Sequence, residues 1–531
     1  MNTLPRPRPL VVVILDGWGI SPQRAGNAIA AAQTPAMDTF ARFYPSTALA
    51  ASGLEVGLPP GVGGNSETGH RNIGAGRVEY QLLSKIDQAM ADGSFFNNPV
   101  LAGAFEHAQA HASSLHLIGL ASSGGVHAHV NHLLALLEMA GARRFQLPVY
   151  LHLITDGRDA PPRSALGYLQ QITERQRALG IGIIASVVGR FYAMDRNNNW
   201  ERTGAAYELF TGGERQSAAA TAYHAVDRAY KAGLTDEMIL PTAITRGGRP
   251  IGAITDNDAV IFTNFRPDRA RQLTAAFVDA EQMPMKTRRL QNVYFATLGW
   301  FGSHLTARAA WREEAAEFPL ARVIAEAGLT QLHIAETEKY AHITYYLNVG
   351  HEAPFAGEQR EIIRSADVRS FIQKPAMEAP AITQTVVSAV QRGAHDVYFV
   401  NYANPDMVGH TGDFAAVVAA CGVVDMSLAQ LYQAVRAAGG SMVVTADHGK
   451  AEAVMAADTS QQRTEHTTNP VPFHYVREEL KRRVPRSQAE VQQQSSTPVG
   501  VLADVAPTIL DILRLTKPRT MTGVSLLGSL E

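Results

Sequence analysis

The sequence predicts an α/β fold with largely parallel sheets. Short apolar runs recur along its 531 residues, each followed by a polar or Gly-containing turn. Stretches of helical length lie between the runs. Polar and charged residues of chemical interest gather just beyond the ends of the runs, where ligands bind in open α/β sheets. Continuous apolar runs suit strands buried on both faces, and their alternation with helices is the pattern of parallel sheets.

Taken in order, the predicted strands are Leu10–Leu15, Ser114–Leu120, Val149–Thr155, Ile181–Gly189, Ala259–Phe265, Asp396–Tyr402 and Ser441–Asp447. The helical stretches include Asn131–Ala142, Ser164–Leu179 and Phe414–Ala438. Asp16 ends the first strand; Asp156–Asp159, Asn264–Arg269, Asn401–Asp406 and Asp447–His448 end others. Ordinary polar turns account for one or two such coincidences, and poorly for five. No internal repeat is found. The polar tract Gln488–Pro498 reads as a mobile surface loop.

The formal net charge is -2, which gives no global field for nucleic acid or a membrane surface. An anionic small substrate must then be met by a local cluster of Arg or Lys. The single cysteine, Cys421, rules out an intramolecular disulfide and a cysteine metal site, and suits a reducing compartment. The first apolar run is too short for a signal segment. No stretch approaches the about 20 apolar residues of a membrane span. A soluble, cytoplasmic protein is expected.

Asp406 and His410 in NPDMVGH, Asp447 and His448 in VVTADHG, and His466 in EHTTNPVPF are the ligand types of Zn, Mn, Fe or Co. Five ligands exceed one small site, and two adjacent ions are the simplest reading, an arrangement that clamps a phosphoryl group. Ser66 follows the glycines of GVGGNSETGH. It reads either as a turn or cap residue or as a nucleophile activated by metal, since no G-x-S-x-G elbow surrounds it. Arg158 and Asp159 in ITDGRDAPP, Arg190 and Arg196 in GRFYAMDR, and Arg266, Arg269 and Arg271 in NFRPDRAR form three clusters suited to phosphate or carboxylate. His127, His129 and His132 are spaced closely enough to suggest a further metal site. Lys339, in AETEKYAHIT, reads on its own as a surface lysine.

LDGWG, NSETGH…NIGAGR, GGVHAH, TDGRD, GRFYAMDR, NFRPDRAR, ETEKYAHIT, NPDMVGHTG, TADHG and EHTTNPVPF occur in this order. With them the chain closely resembles the cofactor-independent phosphoglycerate mutases of the alkaline phosphatase superfamily, from about Leu10 to MTGVSLL. The resemblance implies an alkaline-phosphatase-like three-layer α/β/α metal-binding domain, residues 1–79 and 313–531, with an inserted α/β transferase domain for the substrate, residues 80–312. It implies that Asp406, His410 and His466 hold one metal and that Asp16, Ser66, Asp447 and His448 hold the other. The ions implied are usually Mn²⁺, with Mg²⁺, Co²⁺ or Zn²⁺ as alternatives. His127, Arg158, Asp159, Arg190, Arg196, Arg266, Arg269 and Lys339 would contact 2- or 3-phosphoglycerate in a monomeric glycolytic enzyme. Ser66 would form a phosphoserine, Asp159 would serve as general acid and base, and 2,3-bisphosphoglycerate would not be needed. Thr68, Arg71, Ser123, Lys450 and the Tyr345–Gly350 segment depart from the commonest pattern of the family. A hydrolytic phosphatase, a sugar-phosphate mutase and an inactive binding homologue are the rival readings, because fold and metals are shared across the superfamily.

Overall fold

All six residues of Leu10–Leu15 are fully buried, as expected of a central strand flanked on both edges. In the computed structural model, which describes residues 4–213, 217–312, 315–456 and 461–530, this strand pairs in parallel with Val397–Tyr402 on one side and Ser441–Thr445 on the other. The chain divides into two compact units, one of Met1–Gln81 with Glu314–Glu531 and one of Leu82–Glu313.

The first unit is built on an eight-stranded sheet. Across the sheet, Glu358–Ile363, Gln331–Glu336, Val397–Tyr402, Leu10–Leu15 and Ser441–Thr445 run parallel. Val471–Val476 then pairs antiparallel with Ser441–Thr445 and with Ser46–Ala50, and the short Gly500–Val501 closes the edge. Asp16 and Asp447 follow adjacent parallel strands, so their side chains are delivered to the same end of the sheet. Asp406 reaches that end from the short helix Asn404–Gly409, which follows the strand on the other side.

Phe414–Ala437 returns the chain from Val397–Tyr402 to Ser441–Thr445. By length and composition it is apolar enough to cross a membrane, which corrects the expectation that no such stretch exists. Val417, Ala420, Cys421, Val424, Leu428 and Leu431 on this helix belong to the core of the unit, as befits the connecting helix of a large sheet.

The second unit carries a nine-stranded sheet. Leu115–Ala121 and Val149–Thr155 lie at its centre, paired in parallel in register from Leu115↔Val149 to Ala121↔Thr155. Ile183–Gly189 and Ala259–Phe262 flank them, also in parallel. The last of these strands stops three residues short of the expected Phe265. Beyond it the Asn264 side chain accepts from Leu120 N at 3.3 Å, and Phe265 N donates to His127 O at 2.9 Å, so the backbone has left the ladder before Arg266. The central helices Val130–Ala142 and Ala165–Leu179 lie within one residue of their expected bounds.

The polar tract after Ser487 is a helix, Gln488–Ser496, and not the loop expected from its composition. Ser487 and Glu490 form a reciprocal capping box, so the helix start was written locally as S-x-x-E. No residue of the helix is buried, which is why apolar periodicity did not disclose it.

Candidate active site and metal centre

Ser66 is the first residue of the helix Ser66–Ala75, and the capping is done by Asn65, whose side chain accepts from Thr68 N. This frees the Ser66 hydroxyl to point into a cluster of charged groups. Ser66 Oγ lies 3.0 Å from Asp16 Oδ1 and 2.9 Å from His448 Nε2, and it accepts from Lys339 Nζ at 2.7 Å. Lys339 also donates to Asp16 Oδ1 and Asp406 Oδ2, both at 2.6 Å. Far from being a surface lysine, it is buried with the candidate metal ligands of the first unit. Only the fold reveals this, because the short turn Thr337–Lys339 leaves the buried strand Gln331–Glu336 at the ligand-bearing end of the sheet.

Asp406, His410 and His466 converge tightly. Asp406 Oδ1 is 3.2 Å from His410 Nε2 and 3.1 Å from His466 Nε2, and the two Nε2 atoms are 3.1 Å apart. The far nitrogens are engaged elsewhere: His410 Nδ1 donates to Thr464 O at 3.1 Å and His466 Nδ1 to Gly64 O at 2.8 Å. Each ring therefore carries its proton on Nδ1 and aims an Nε2 lone pair inward, the second-shell arrangement that prepares an imidazole as a ligand. Two lone pairs and a carboxylate oxygen at the corners of one small triangle repel one another unless a cation joins them. Bonds of about 2.0–2.2 Å from one ion give ligand separations of about 3 Å.

Asp447 Oδ1 accepts from Gly17 N at 3.1 Å. Asp447 Oδ2 and Asp406 Oδ1 are buried without a hydrogen-bond donor. With Asp16, they make three carboxylates in one buried pocket, and the ammonium of Lys339 touches two of them. Burial is the largest single influence on Asp16 and Asp406 and opposes their charge, yet Lys339 together with His448 and, for Asp406, His410 and His466 holds both well below the usual carboxylate range. Burial likewise opposes charge on Lys339, but Asp16 and Asp406 raise its pKa. His448, also opposed by burial, is pushed up to about 9 by Asp447, Asp16 and Asp406. A pocket that draws a proton onto a buried imidazole has excess negative charge, and oxygen and imidazole donors of this kind suit divalent metals.

Asp406, His448 and His466 bring ligand atoms close enough to share an ion, and so do Asp16, His70 and Asp447. His448 faces both groups, its Nε2 lying 3.5 Å from Asp16 Oδ1 and 3.6 Å from Asp447 Oδ2 but 4.0 Å from Asp406 Oδ1, so by distance it sits nearer the Asp16 and Asp447 side. His70 was not singled out from the sequence. Its Nδ1 lies 2.8 Å from Ser66 O and 3.2 Å from Asp447 Oδ2, while its Nε2 accepts from Asn401 Nδ2 at 3.0 Å. Asn401 also donates to Asp16 Oδ2 at 2.9 Å. His70 Nδ1 is thus engaged by the Ser66 carbonyl, and its Nε2 reaches Asp16 only through Asn401. Its only sequence signal was its place in NSETGH, four residues after Ser66.

In the second unit the predicted anion-binding residues also meet. Asp156 is the hub: its Oδ1 accepts from Arg158 N at 3.2 Å, Asp159 N at 3.0 Å and Arg190 Nη1 at 2.5 Å, and its Oδ2 from Ser122 Oγ at 2.5 Å. Arg190 Nη1 also donates to Asp159 Oδ2 at 2.6 Å. Burial opposes the charge on Arg190, but Asp159 and Asp156 raise its pKa. Asp268 joins Arg196, at 3.0 Å, to Arg266, at 3.1 Å. His127 lies between Asp159 and Asp268, at 3.8 and 3.5 Å, and burial brings it down to about 4, so it is neutral near pH 7. Arg158 stands at the rim, 3.5 Å from Glu237. Arg269 donates to Met194 O at 3.3 Å; burial and then Arg196, Arg190 and Arg158 lower its pKa, the mark of cations gathered for an anion. Arg271 does not join this set: its Nε donates to Phe301 O at 2.7 Å.

The spacing of His129 and His132 does not produce a metal site. His132 pairs with Asp87 at 3.0 Å, and His129 caps the helix Val130–Ala142. Neither residue belongs to a metal-ligand group among the described residues.

Comparison with known proteins bears on the same chemistry. Residues 86–302 match the family model described as the BPG-independent PGAM N-terminus. Over 98% of its length the chain is 46% identical to the 2,3-bisphosphoglycerate-independent phosphoglycerate mutase of Chloroflexus aggregans, covering 99% of that protein. It is 46% identical to the corresponding enzyme of Thermomicrobium roseum over 98% of both chains. Among solved structures, the phosphoglycerate mutase of Leishmania mexicana, crystallised at low cobalt concentration, superposes with a TM-score of 0.63 and 30% identity, covering 99% of this chain and 98% of that one.

Proposed function

Because the chain belongs to the 2,3-bisphosphoglycerate-independent phosphoglycerate mutase family, and is therefore an isomerase, we propose that it interconverts 3-phosphoglycerate and 2-phosphoglycerate through a phosphoserine on Ser66. The observation that carries this reading is the setting of Ser66 Oγ, within 3.0 Å of Asp16, His448 and Lys339 at the start of a helix.

We assign Asp406, His410 and His466 to one divalent ion and Asp16, Ser66, Asp447 and His448 to a second, with Mn²⁺ the ion usual in the family and Mg²⁺, Co²⁺ or Zn²⁺ also compatible with oxygen and imidazole donors. When bound, such a pair lowers the pKa of the Ser66 hydroxyl and stabilises charge on the transferring phosphoryl group. Ser66 Oγ attacks phosphorus, and the bond from phosphorus to the glycerate oxygen breaks. Lys339 Nζ, which donates to Ser66 Oγ, offers positive charge to the phosphoryl oxygens once that bond has formed. Asp159 gives a proton to the departing glycerate oxygen and later removes one from the other hydroxyl, which takes the phosphoryl group back. One residue serves both steps because the second is the chemical reverse of the first.

In this assignment Arg158, Arg190, Arg196, Arg266 and Arg269 neutralise the phosphate and carboxylate of the substrate. His127, uncharged near pH 7, contributes a hydrogen bond without adding to the charge. A mutase must keep water from the phosphoserine and retain glycerate, or it becomes a phosphatase.

The test is an assay of metal-supplemented protein with 3-phosphoglycerate and no 2,3-bisphosphoglycerate. Formation of 2-phosphoglycerate, with a phosphorylated Ser66 peptide trapped by rapid acid quench, is the expected result. Release of free phosphate as the main product overturns the reading.

A further inference from the structure

Asp16, His448 and His466, three of the candidate ligands of the first unit, lie in three separate loops, and one buried carboxylate is bonded to all three loops. Glu452 sits on the short turn Ala451–Ala453 and is 2% exposed. Its Oε2 accepts from Gly19 N at 3.0 Å and from Lys450 N at 2.8 Å. Its Oε1 accepts from Asn469 Nδ2 at 2.9 Å and, at close range, from Thr467 Oγ1. Gly19 lies just beyond Asp16, Lys450 just beyond His448, and Thr467 directly after His466. Each loop is therefore tied to the same carboxylate within three residues of a ligand it carries. A side chain at Gly19 or Gly449 would run into this carboxylate, so both glycines leave room for it.

We infer that Glu452 is a positioning residue of the metal centre: its carboxylate holds the Asp16, His448 and His466 loops at the mutual spacing a divalent ion requires. It is not itself a ligand, because four donors already occupy its oxygens. Two of those donors, Gly19 N and Lys450 N, are backbone groups that cannot reverse their polarity, so an acceptor is obligatory on that side. Thr467 and Asn469 can turn to accept, so a glutamine fits the site with only half of the clamp altered. The graded response of the two substitutions follows from this asymmetry. Lys450 supports the same clamp, its Nζ donating to Glu465 O at 3.1 Å, next to His466.

The inference rests on the metal reading above, and the experiment separates the two. Mn²⁺ is titrated calorimetrically into the metal-stripped full-length chain and its Glu452→Gln and Glu452→Ala variants. Thermal melts in chelator show whether each variant is folded. Outer-shell partners of metal ligands are typically worth about 10–100-fold in metal affinity. Glu452→Ala is expected to weaken Mn²⁺ binding by that amount, and Glu452→Gln by less. At saturating Mn²⁺ both variants should recover kcat with an unchanged KM for 3-phosphoglycerate. Folded variants that bind Mn²⁺ within twofold of wild type overturn the assignment, as does a kcat that excess Mn²⁺ fails to restore. If Glu452→Ala does not fold, Glu452→Gln alone decides by the same criteria. A wild-type chain that takes up no Mn²⁺ refutes the metal reading instead.

Discussion

Lys339 Nζ donates to Ser66 Oγ at 2.7 Å although 273 residues separate them in the chain. The same ammonium touches Asp16 and Asp406, one carboxylate from each of the two metal sites proposed here. A single buried cation thus joins the nucleophile to both ligand sets, and several consequences can be measured.

Substituting Ser66 by alanine removes the attacking oxygen while leaving the carboxylates and imidazoles in place. Turnover of 3-phosphoglycerate should vanish, with Mn²⁺ binding largely kept. Residual mutase activity near the wild-type level would sink the nucleophile assignment.

Lys339→Met leaves Asp16 and Asp406 buried without their counter-charge. Breaking a buried pair in this way costs about 3 kcal/mol or more. The metal-free variant should melt well below the wild type, and added Mn²⁺ should restore much of the difference by supplying positive charge to the same carboxylates. Identical melting of the two chains in chelator would show that Lys339 does not offset this charge.

Arg269 donates to a backbone carbonyl and forms no ion pair within 4.0 Å among the described residues, although Asp268 acts on its charge from further off, so in the proposed reading its guanidinium is available to the substrate anion. Losing a charge-assisted contact of about 1.5–3 kcal/mol corresponds to roughly 10–100-fold in binding. Arg269→Ala should therefore raise KM by about that factor while melting within a few degrees of wild type. An unchanged KM argues that this arginine does not meet the substrate.

His474 lies in the buried strand Val471–Val476 with its Nδ1 2.8 Å from Ser46 Oγ, and burial, reinforced by Arg486, lowers its pKa to about 4. Unfolded, it titrates near 6.5. Between these values the unfolded chain holds a proton that the folded chain refuses, so stability falls as pH drops from about 6.5 towards 4. At pH 5 the loss from this one residue is about 2 kcal/mol. His474→Gln should flatten the fall between pH 7.5 and pH 5, read from urea midpoints. An equally steep fall in the variant would mean that other groups carry it.

The strands of both sheets were legible because parallel strands buried on two faces leave continuous apolar runs such as LVVVIL and VYLHLIT. Asp16, Asp447 and His448 were legible for a related reason: they interrupt the apolar run just where the strand leaves the buried sheet, where a polar side chain no longer has to pack on an apolar face. The helix Gln488–Ser496 went unseen because none of its residues is buried. The membrane-like length and composition of Phe414–Ala437 are plain in the sequence, whereas its place in the core required the fold.

By itself the sequence determined the chemistry: carboxylates, imidazoles and arginines in ordered motifs, a serine without its own catalytic base, and no cysteine near any of them. Tertiary structure decided which of these groups touch. Lys339 moved from the presumed surface to the centre of the ligand cluster, and His70 and Asn401 emerged as supports of Asp16 and Ser66. Glu452 emerged as the tie between three loops. Side-chain type and local spacing are written along the chain. The energy of a buried charge depends on which opposite charges and donors surround it, and those come from segments hundreds of residues apart.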